Sequence, residues 1–411
     1  ELLCFKQALA RLAQIYPDMD MKRYKRSVKR EYKEMLLRTP DIGGSSLEMN
    51  LYIAAFVFSL HKAEPDRITP EVVDEMVTAV FDSPFMVKAH ENKKCTLFTD
   101  NVQDKKVQES IGSQTSKYEL DWMLKMQDET SGGVYHKVTG EVFPEMVAAV
   151  EETAQMILSP ISNTATGDFA AVMAKASVVY RKYDAAFADS CLAAAQKAWK
   201  YLEQHQGDAG FKNVGSIVTG EYPDSNDSDE YLWAAAELYI ATGDESYNDY
   251  VKTAIEGSVK YGLGWADVGY YGIYDYCVNV KDCAAEKEIL KKGADKLVDN
   301  YAGSGFGSTT GGSYVWGSNM VVADNGILLL MASKVLGDDS YVDYAADQLN
   351  YILGRNAVSY CYVTGYGSQT PENPHHRPSE ALGKAMPGML VGGADGNLED
   401  PYAKAVLAKI P

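Results

Sequence analysis

One local pattern recurs along the chain and constrains its fold more than any other feature. An Ala-rich apolar run ends at Thr242-Gly243-Asp244-Glu245-Ser246-Tyr247 and a second run follows; the same order returns around Leu336-Gly337-Asp338-Asp339-Ser340-Tyr341. A looser copy surrounds Lys182-Tyr183-Asp184, with Phe187 in the aromatic place. In each, a Gly or Asp turn stops one helix and a Tyr or Phe anchors the next. Helical hairpins of this kind bury their apolar faces only against neighbouring hairpins, so several must stack or close on themselves. The pattern therefore predicts an all-α chain built as an α/α toroid, with a helical solenoid as the alternative.

Composition narrows what such a toroid does. The 411 residues suit one large toroid or two small domains. A formal net charge of −18 disfavours nucleic-acid binding, which needs a positive footprint, and is compatible with neutral ligands such as sugars. No apolar run approaches the ~20 residues of a membrane span, so no membrane partner is expected. The 28 Tyr, 11 Phe and 5 Trp allow two readings, an ordinary helical core with rings at its edge or a cleft lined with rings for flat, hydroxylated ligands. Six cysteines (Cys4, Cys95, Cys191, Cys277, Cys283 and Cys361) include no C-x-x-C pair. That spacing offers neither a zinc cluster nor the dense disulfide framework of a small secreted domain, and it leaves the redox compartment undecided.

The first part of the chain differs from the rest. Basic residues cluster at Lys22, Arg23, Lys25, Arg26, Lys29, Arg30 and Lys33, without aromatic interleaving, which reads as a solvated helix face. Ser45 and Glu48 have capping-box spacing ahead of an apolar helix from Leu51 to Leu60, and Thr69-Pro70-Glu71 starts another. After the turn-like Gly112-Ser113-Gln114-Thr115-Ser116 the chain becomes richer in Gly, Tyr and Ala. This places the boundary between a small helical segment, 1–116, and the main domain, 117–411. Gly303 to Gly312 reads as a surface loop at the toroid mouth.

The segment from Tyr360-Cys361-Tyr362-Val363-Thr364-Gly365-Tyr366-Gly367 to Pro374-His375-His376-Arg377 is hard to explain by packing. Paired imidazoles beside a guanidinium in a Pro-braced loop can bind an anion, hold a sugar hydroxyl or tune a carboxylate; surface histidines ordered by proline are the bland reading. The stretch from Cys361 to Arg377 resembles the His-containing signature of the family 9 glycoside hydrolases, departing from it at Cys361 and Gln369. Further blocks resemble that family in its order: Tyr118-Glu119-Leu120-Asp121-Trp122, Gly133 to Val138, Thr164 to Phe169, Asp229-Glu230 with Trp233, Trp316 to Asn319 and Asn350 to Asn356. The resemblance covers roughly 117–411.

What it implies is an (α/α)6 barrel, incomplete here, that hydrolyses β-1,4-glucosidic bonds of cellulose or related β-glucans by inversion. The implied active-site His and closing Arg fall on His375 and Arg377, and His136, Trp265 and Trp316 fall near the implied glucan cleft, where their alternative is core packing. No cofactor is required. A structural Ca2+ is possible at Ser225, Asp229 and Glu230, though an acidic helix N-terminus looks the same. Inversion needs a base and an acid about 6.5–9.5 Å apart. The Asp-Ala-Gly-Asp motif of the family's base does not occur in the sequence, nor does an Asn-Glu-Val-type acid segment before Pro411. The resemblance thus leads to the expectation of an inactive or incomplete chain, with a non-catalytic sugar-binding toroid or a chimeric helical protein as alternatives. Residues 1–116 resemble the N-terminal half of the L-2-amino-thiazoline-4-carboxylic acid hydrolase family. Polymeric glucans do not enter cells, so the resemblance also implies an extracellular location, with a glucan as partner.

Overall fold

The computed structural model describes residues 116–407 apart from position 209. The basic cluster, the Ser45 capping box, the helices expected from Leu51 and Pro70, and the second family resemblance lie outside the described residues. The chain divides into two units, Glu1–Glu119 and Leu120–Pro411, and the architecture here is that of the second.

Eight helices form four successive hairpins. The first pairs α1 (Asn163–Tyr180) with α2 (Ala185–Gln204), and the second pairs α3 (Ser228–Thr242) with α4 (Glu245–Ala254). The third joins α5 (Gly269–Asn279) to α6 (Ala284–Ala302), and the fourth α7 (Ser318–Leu336) to α8 (Ser340–Ile352). Two short helices follow, α9 (Arg377–Leu382) and α10 (Pro401–Leu407).

The repeat seen in sequence is the turn inside each hairpin. Gly243 and Gly337 both take the left-handed conformation at their helix C-termini, with φ of 70° and 69°, where a side chain would be strained. Asp184 caps α2 by accepting the Phe187 N–H, and Asp244 caps α4 by accepting the Ser246 N–H. Asp338 accepts the Ser340 N–H at 2.9 Å at the start of α8. The aromatic that follows each turn, Phe187, Tyr247 or Tyr341, is buried.

The first helices of the hairpins form the inner layer: α1 packs on α3, α3 on α5 and α5 on α7. Their core is built largely from small residues, including Ala170, Ala171, Ala174, Ala234, Ala235 and Ala236, which let the helices approach closely. Gly272 is needed for the same reason, since a Cβ there would lie 2.9 Å from the Trp233 Cα. Short turns follow the inner helices, whereas long loops precede each of them: 205–227 before α3, 255–268 before α5 and 303–317 before α7. Because antiparallel hairpins leave the inner helices running the same way, these long loops gather at one end. The segment before α1 joins them, with β1 (Val134–Tyr135) paired antiparallel to β4 (Ile161–Ser162) and β2 (Val138–Thr139) to β3 (Ile157–Leu158).

One expectation is refined and another corrected. The 303–312 stretch is a surface loop at Gly303, Gly305, Phe306, Gly311 and Gly312, but its middle is drawn in, with Ser308 and Thr309 buried. Gln348 of α8 pins it, accepting from the Thr309 N–H and hydroxyl at 3.0 Å each and donating to the Gly307 carbonyl at 2.9 Å. The absence of any segment long and apolar enough to cross a membrane also fails for α7, the one such helix among the described residues by length and composition. Its apolar character has a local cause: it packs on α5, α6 and α8.

Candidate active site

The long-loop end is where the sequence-derived candidates stand, and hydrogen bonds between loops hold it together. Arg377, first residue of α9, donates from Nε to the Pro144 carbonyl at 2.9 Å, and its guanidinium lies 5.3 Å from the centre of the Phe143 ring. The Val218 N–H donates to the Glu141 carbonyl at 2.8 Å, tying the 205–227 loop to the same 140s segment. Tyr222 of that loop meets Trp265 edge-to-face, with centroids 5.4 Å apart. A Cβ at Gly264 would come within 4.0 Å of the Met320 methyl group, in the first turn of α7 beyond Trp316. The Asn319 N–H donates to the Gly392 carbonyl at 3.0 Å, and the Thr364 N–H to the Met389 carbonyl at 3.0 Å, which brings the signature loop alongside.

The His-His-Arg group, treated in sequence as one unit, divides into three roles. His375 is 76% exposed, with Nδ1 3.7 Å from the Glu380 carboxylate. His376 is the N-cap of α9, its Nδ1 accepting the Ser379 N–H at 3.3 Å. Arg377 is a tether between loops.

His136 lies flat on Phe211, centroids 3.8 Å apart and planes within 8°, and its Nδ1 bonds the Ser162 hydroxyl at 2.9 Å. Burial holds its pKa below the ordinary value, so the ring is neutral at neutral pH. Phe211 is a partner that sequence reasoning missed; only its place in the loop facing His136 reveals it. Trp265 and Trp316 are 54% and 65% exposed, so neither is a core residue. Other rings take the opposite role: Tyr180, Tyr231, Tyr247, Tyr270, Tyr276, Tyr341 and Tyr351 are buried.

The three residues considered for calcium are not equivalent. Ser225 is exposed, whereas Asp229 and Glu230 are buried in the first turn of α3. Asp229 accepts the Val268 N–H through Oδ2 at 2.8 Å, while its Oδ1 and both Glu230 carboxylate oxygens are buried without a partner. Burial, and then the Asp229 charge beside it, pushes the Glu230 pKa well above the carboxylate range. Unpartnered hard oxygen donors fit a cation such as Ca2+ in kind. Among the described residues, however, no group of three or more His, Cys, Asp or Glu side chains is arranged to hold a metal ion.

Across the inner helices runs a polar group that the sequence did not reveal, its carboxylates buried and its lysine half exposed. Lys175 of α1 pairs with Asp275 of α5 and stands 3.7 Å from Glu237 of α3, which also accepts from the Trp233 indole at 3.2 Å. The i,i+4 spacing of Trp233 and Glu237 was the one local signal; the Lys175 contact is purely tertiary.

The model of glycosyl hydrolase family 9 matches residues 89–405. The chain belongs to glycosyl hydrolase family 9. Among curated relatives it is 35% identical to Endoglucanase D of Acetivibrio thermocellus, over 67% of this chain and 46% of that protein. It is 36% identical to a xyloglucan-specific endo-beta-1,4-glucanase of Bacteroides ovatus, over 69% of this chain and 52% of that one. The chain thus spans about half the length of these relatives. A mutant thermostable endoglucanase from Alicyclobacillus acidocaldarius superposes with a TM-score of 0.68 at 37% identity, covering 72% of this chain and 58% of that structure. The four hairpins are accordingly part of the (α/α)6 barrel of this family. The family 9 match begins inside the segment 1–116 of the sequence reading.

Proposed function

We propose that this protein hydrolyses β-1,4-glucosidic bonds of cellulose or a related β-glucan, with the glucan lying along the long-loop end. The observation that carries this reading is the exposure of Trp265 and Trp316 on adjoining loops of a family 9 barrel. An exposed indole has a flat apolar face that covers the C–H face of a glucose ring without needing charge. A solved structure at 37% identity, AaCel9A in complex with a cellobiose-like isofagomine, supports the same ligand class.

In this reading the exposed His375, beside Glu380, meets substrate, Arg377 fixes the signature loop against the 140s segment, and neutral His136, backed by Phe211, offers a hydrogen bond to a sugar hydroxyl. Asp229 and Glu230 are the residues that would hold a structural Ca2+, whose charge would ionise both carboxyls and satisfy their unpartnered oxygens. The hydrolase domain includes residues 117–411, with the family 9 match reaching back to residue 89, and the protein acts outside the cell on a polymer.

Reducing-sugar release from soluble carboxymethyl-cellulose, measured beside cellohexaose binding, tests the reading on the 411-residue chain. Binding with turnover supports a glucanase acting through carboxylates of this chain. Binding without turnover supports the sugar-binding toroid, and no binding at all overturns the glucan reading.

A further inference from the structure

Trp265 and Ala266 form the tip of a turn closed by an antiparallel bridge between Gly264 and Asp267. Side chains from outside the turn hold it on both sides. The Lys260 ammonium donates to both carboxylate oxygens of Asp224, at 2.7 and 2.9 Å, and to the Ala266 carbonyl at 3.0 Å. These contacts engage all three of its N–H groups. On the other side the Tyr271 hydroxyl donates to the Leu263 carbonyl at 3.1 Å. Asp224 is buried and belongs to the 205–227 loop, two residues beyond Tyr222, the ring that meets Trp265 edge-to-face. One ion pair thus joins the backbones that carry both rings, whose planes stand 79° apart.

Tyr222 holds its place at a backbone cost. Its φ is 52°, in the left-handed region that a bulky side chain avoids, although its ring is exposed and gains little from burial. The Asp224 N–H donates back to the Tyr222 carbonyl at 3.1 Å, and the ring covers Gly220, where a Cβ would come within 2.8 Å of it. Strain of this kind persists only where the surroundings over-determine it, and Asp224 is the anchored end. We propose that the Asp224–Lys260 ion pair positions the glucan site, holding Trp265 and Tyr222 as a right-angled corner that receives one sugar ring. The inference rests on the glucan reading above. Both members of the pair act through Trp265 and are positioning residues: without the ammonium, the Ala266 carbonyl is released and the indole leaves the corner.

The test is a double-mutant cycle on the 411-residue chain, read by titration calorimetry with cellohexaose. Lys260→Met should weaken binding about three- to fivefold in the parent, as coupling between neighbours does, and less than about twofold beside Trp265→Ala. An equal loss in both backgrounds, or none in the parent, overturns the proposal. Acrylamide quenching of Trp265, taken as the difference between each protein and its Trp265→Phe counterpart, reads the indole without sugar. Quenching should increase in Lys260→Met and Asp224→Asn and stay at the parent value in Lys260→Arg, whose guanidinium keeps the charge beside the carboxylate. Equal quenching in the parent, Lys260→Met and Asp224→Asn overturns the proposal. Circular dichroism confirms that each variant is folded; Asp224→Asn, which removes charge at nearly constant shape, decides the matter if Lys260→Met is not. Increased quenching in a chain whose parent does not bind cellohexaose upholds the clamp on Trp265 and overturns only the glucan reading.

Discussion

Arg377 and Pro144 are separated by 233 positions in the chain, yet a single hydrogen bond of 2.9 Å joins them. It makes the signature loop and the 140s segment one surface, because the same guanidinium also lies over Phe143. A planar guanidinium is suited to both contacts at once, and an ammonium is not.

Replacing Arg377 therefore separates two loops rather than removing a surface charge. Arg377→Ala should cost about 1–2 kcal/mol, from one hydrogen bond and one cation–π contact. Arg377→Lys should recover less than half of that. Chemical denaturation of the three proteins checks the order, and equal stability for all three would show that the tether is idle.

The exposed indoles should carry sugar affinity individually. Trp265→Ala and Trp316→Ala are each expected to weaken cellohexaose binding about five- to tenfold with little loss of stability, since both side chains are exposed. Titration calorimetry beside thermal melts separates the two effects. Unchanged affinity in both variants would sink the stacking role.

The Lys175–Asp275–Glu237 triad predicts an asymmetry between its members. Removing Lys175 strands Asp275 beside buried Glu237, so Lys175→Met should cost about 2–3 kcal/mol, discounted for the exposed part of the lysine. Burial, reinforced by Asp275, pushes the Glu237 pKa up to about 9, so it already holds its proton at neutral pH. Glu237→Gln should then cost less than about 1 kcal/mol, by denaturant unfolding at pH 7.

Asp324 gives a pH signature with a definite sign. Burial pushes its pKa from 3.8 to about 6, so the folded state holds the proton more tightly than the unfolded one. That contribution to stability is fully present below pH 3.8 and is lost as pH rises through 6. Asp324→Asn should match its parent at low pH and exceed it by roughly 1–2 kcal/mol at pH 7, after allowing for the solvent around a half-buried group. Parallel stability curves across that range would refute the assignment.

Calcium should raise Tm if the unpartnered oxygens at Asp229 and Glu230 are its donors. The shift should vanish in Glu230→Gln and shrink as pH falls, because both carboxyls must lose protons to bind a cation. A shift of equal size in that variant would place the ion elsewhere.

How much of this was legible beforehand depends on the range over which each cause acts. The hairpins were, because a Gly in left-handed conformation, an Asp cap and an aromatic anchor act within six residues of one another; Gly243, Asp244 and Tyr247 behave as the repeat requires. The family was also legible, since its blocks survive in order along the chain. Residue roles within the site were less so. His375, His376 and Arg377 are adjacent in sequence, but only the start of α9 makes one a cap, one a tether and one an exposed ring beside Glu380.

The sequence by itself determined the helical hairpins, the acidic surface charge and the family, because these depend on local backbone preference and on residue order. The tertiary structure alone decided that Trp265 and Trp316 face solvent, that Gln348 draws the 303–312 loop inward, and that Lys175 finds Asp275. Those outcomes depend on which helix packs against which. Burial and pairing energies are set by neighbours distant in the chain, and no local propensity encodes them.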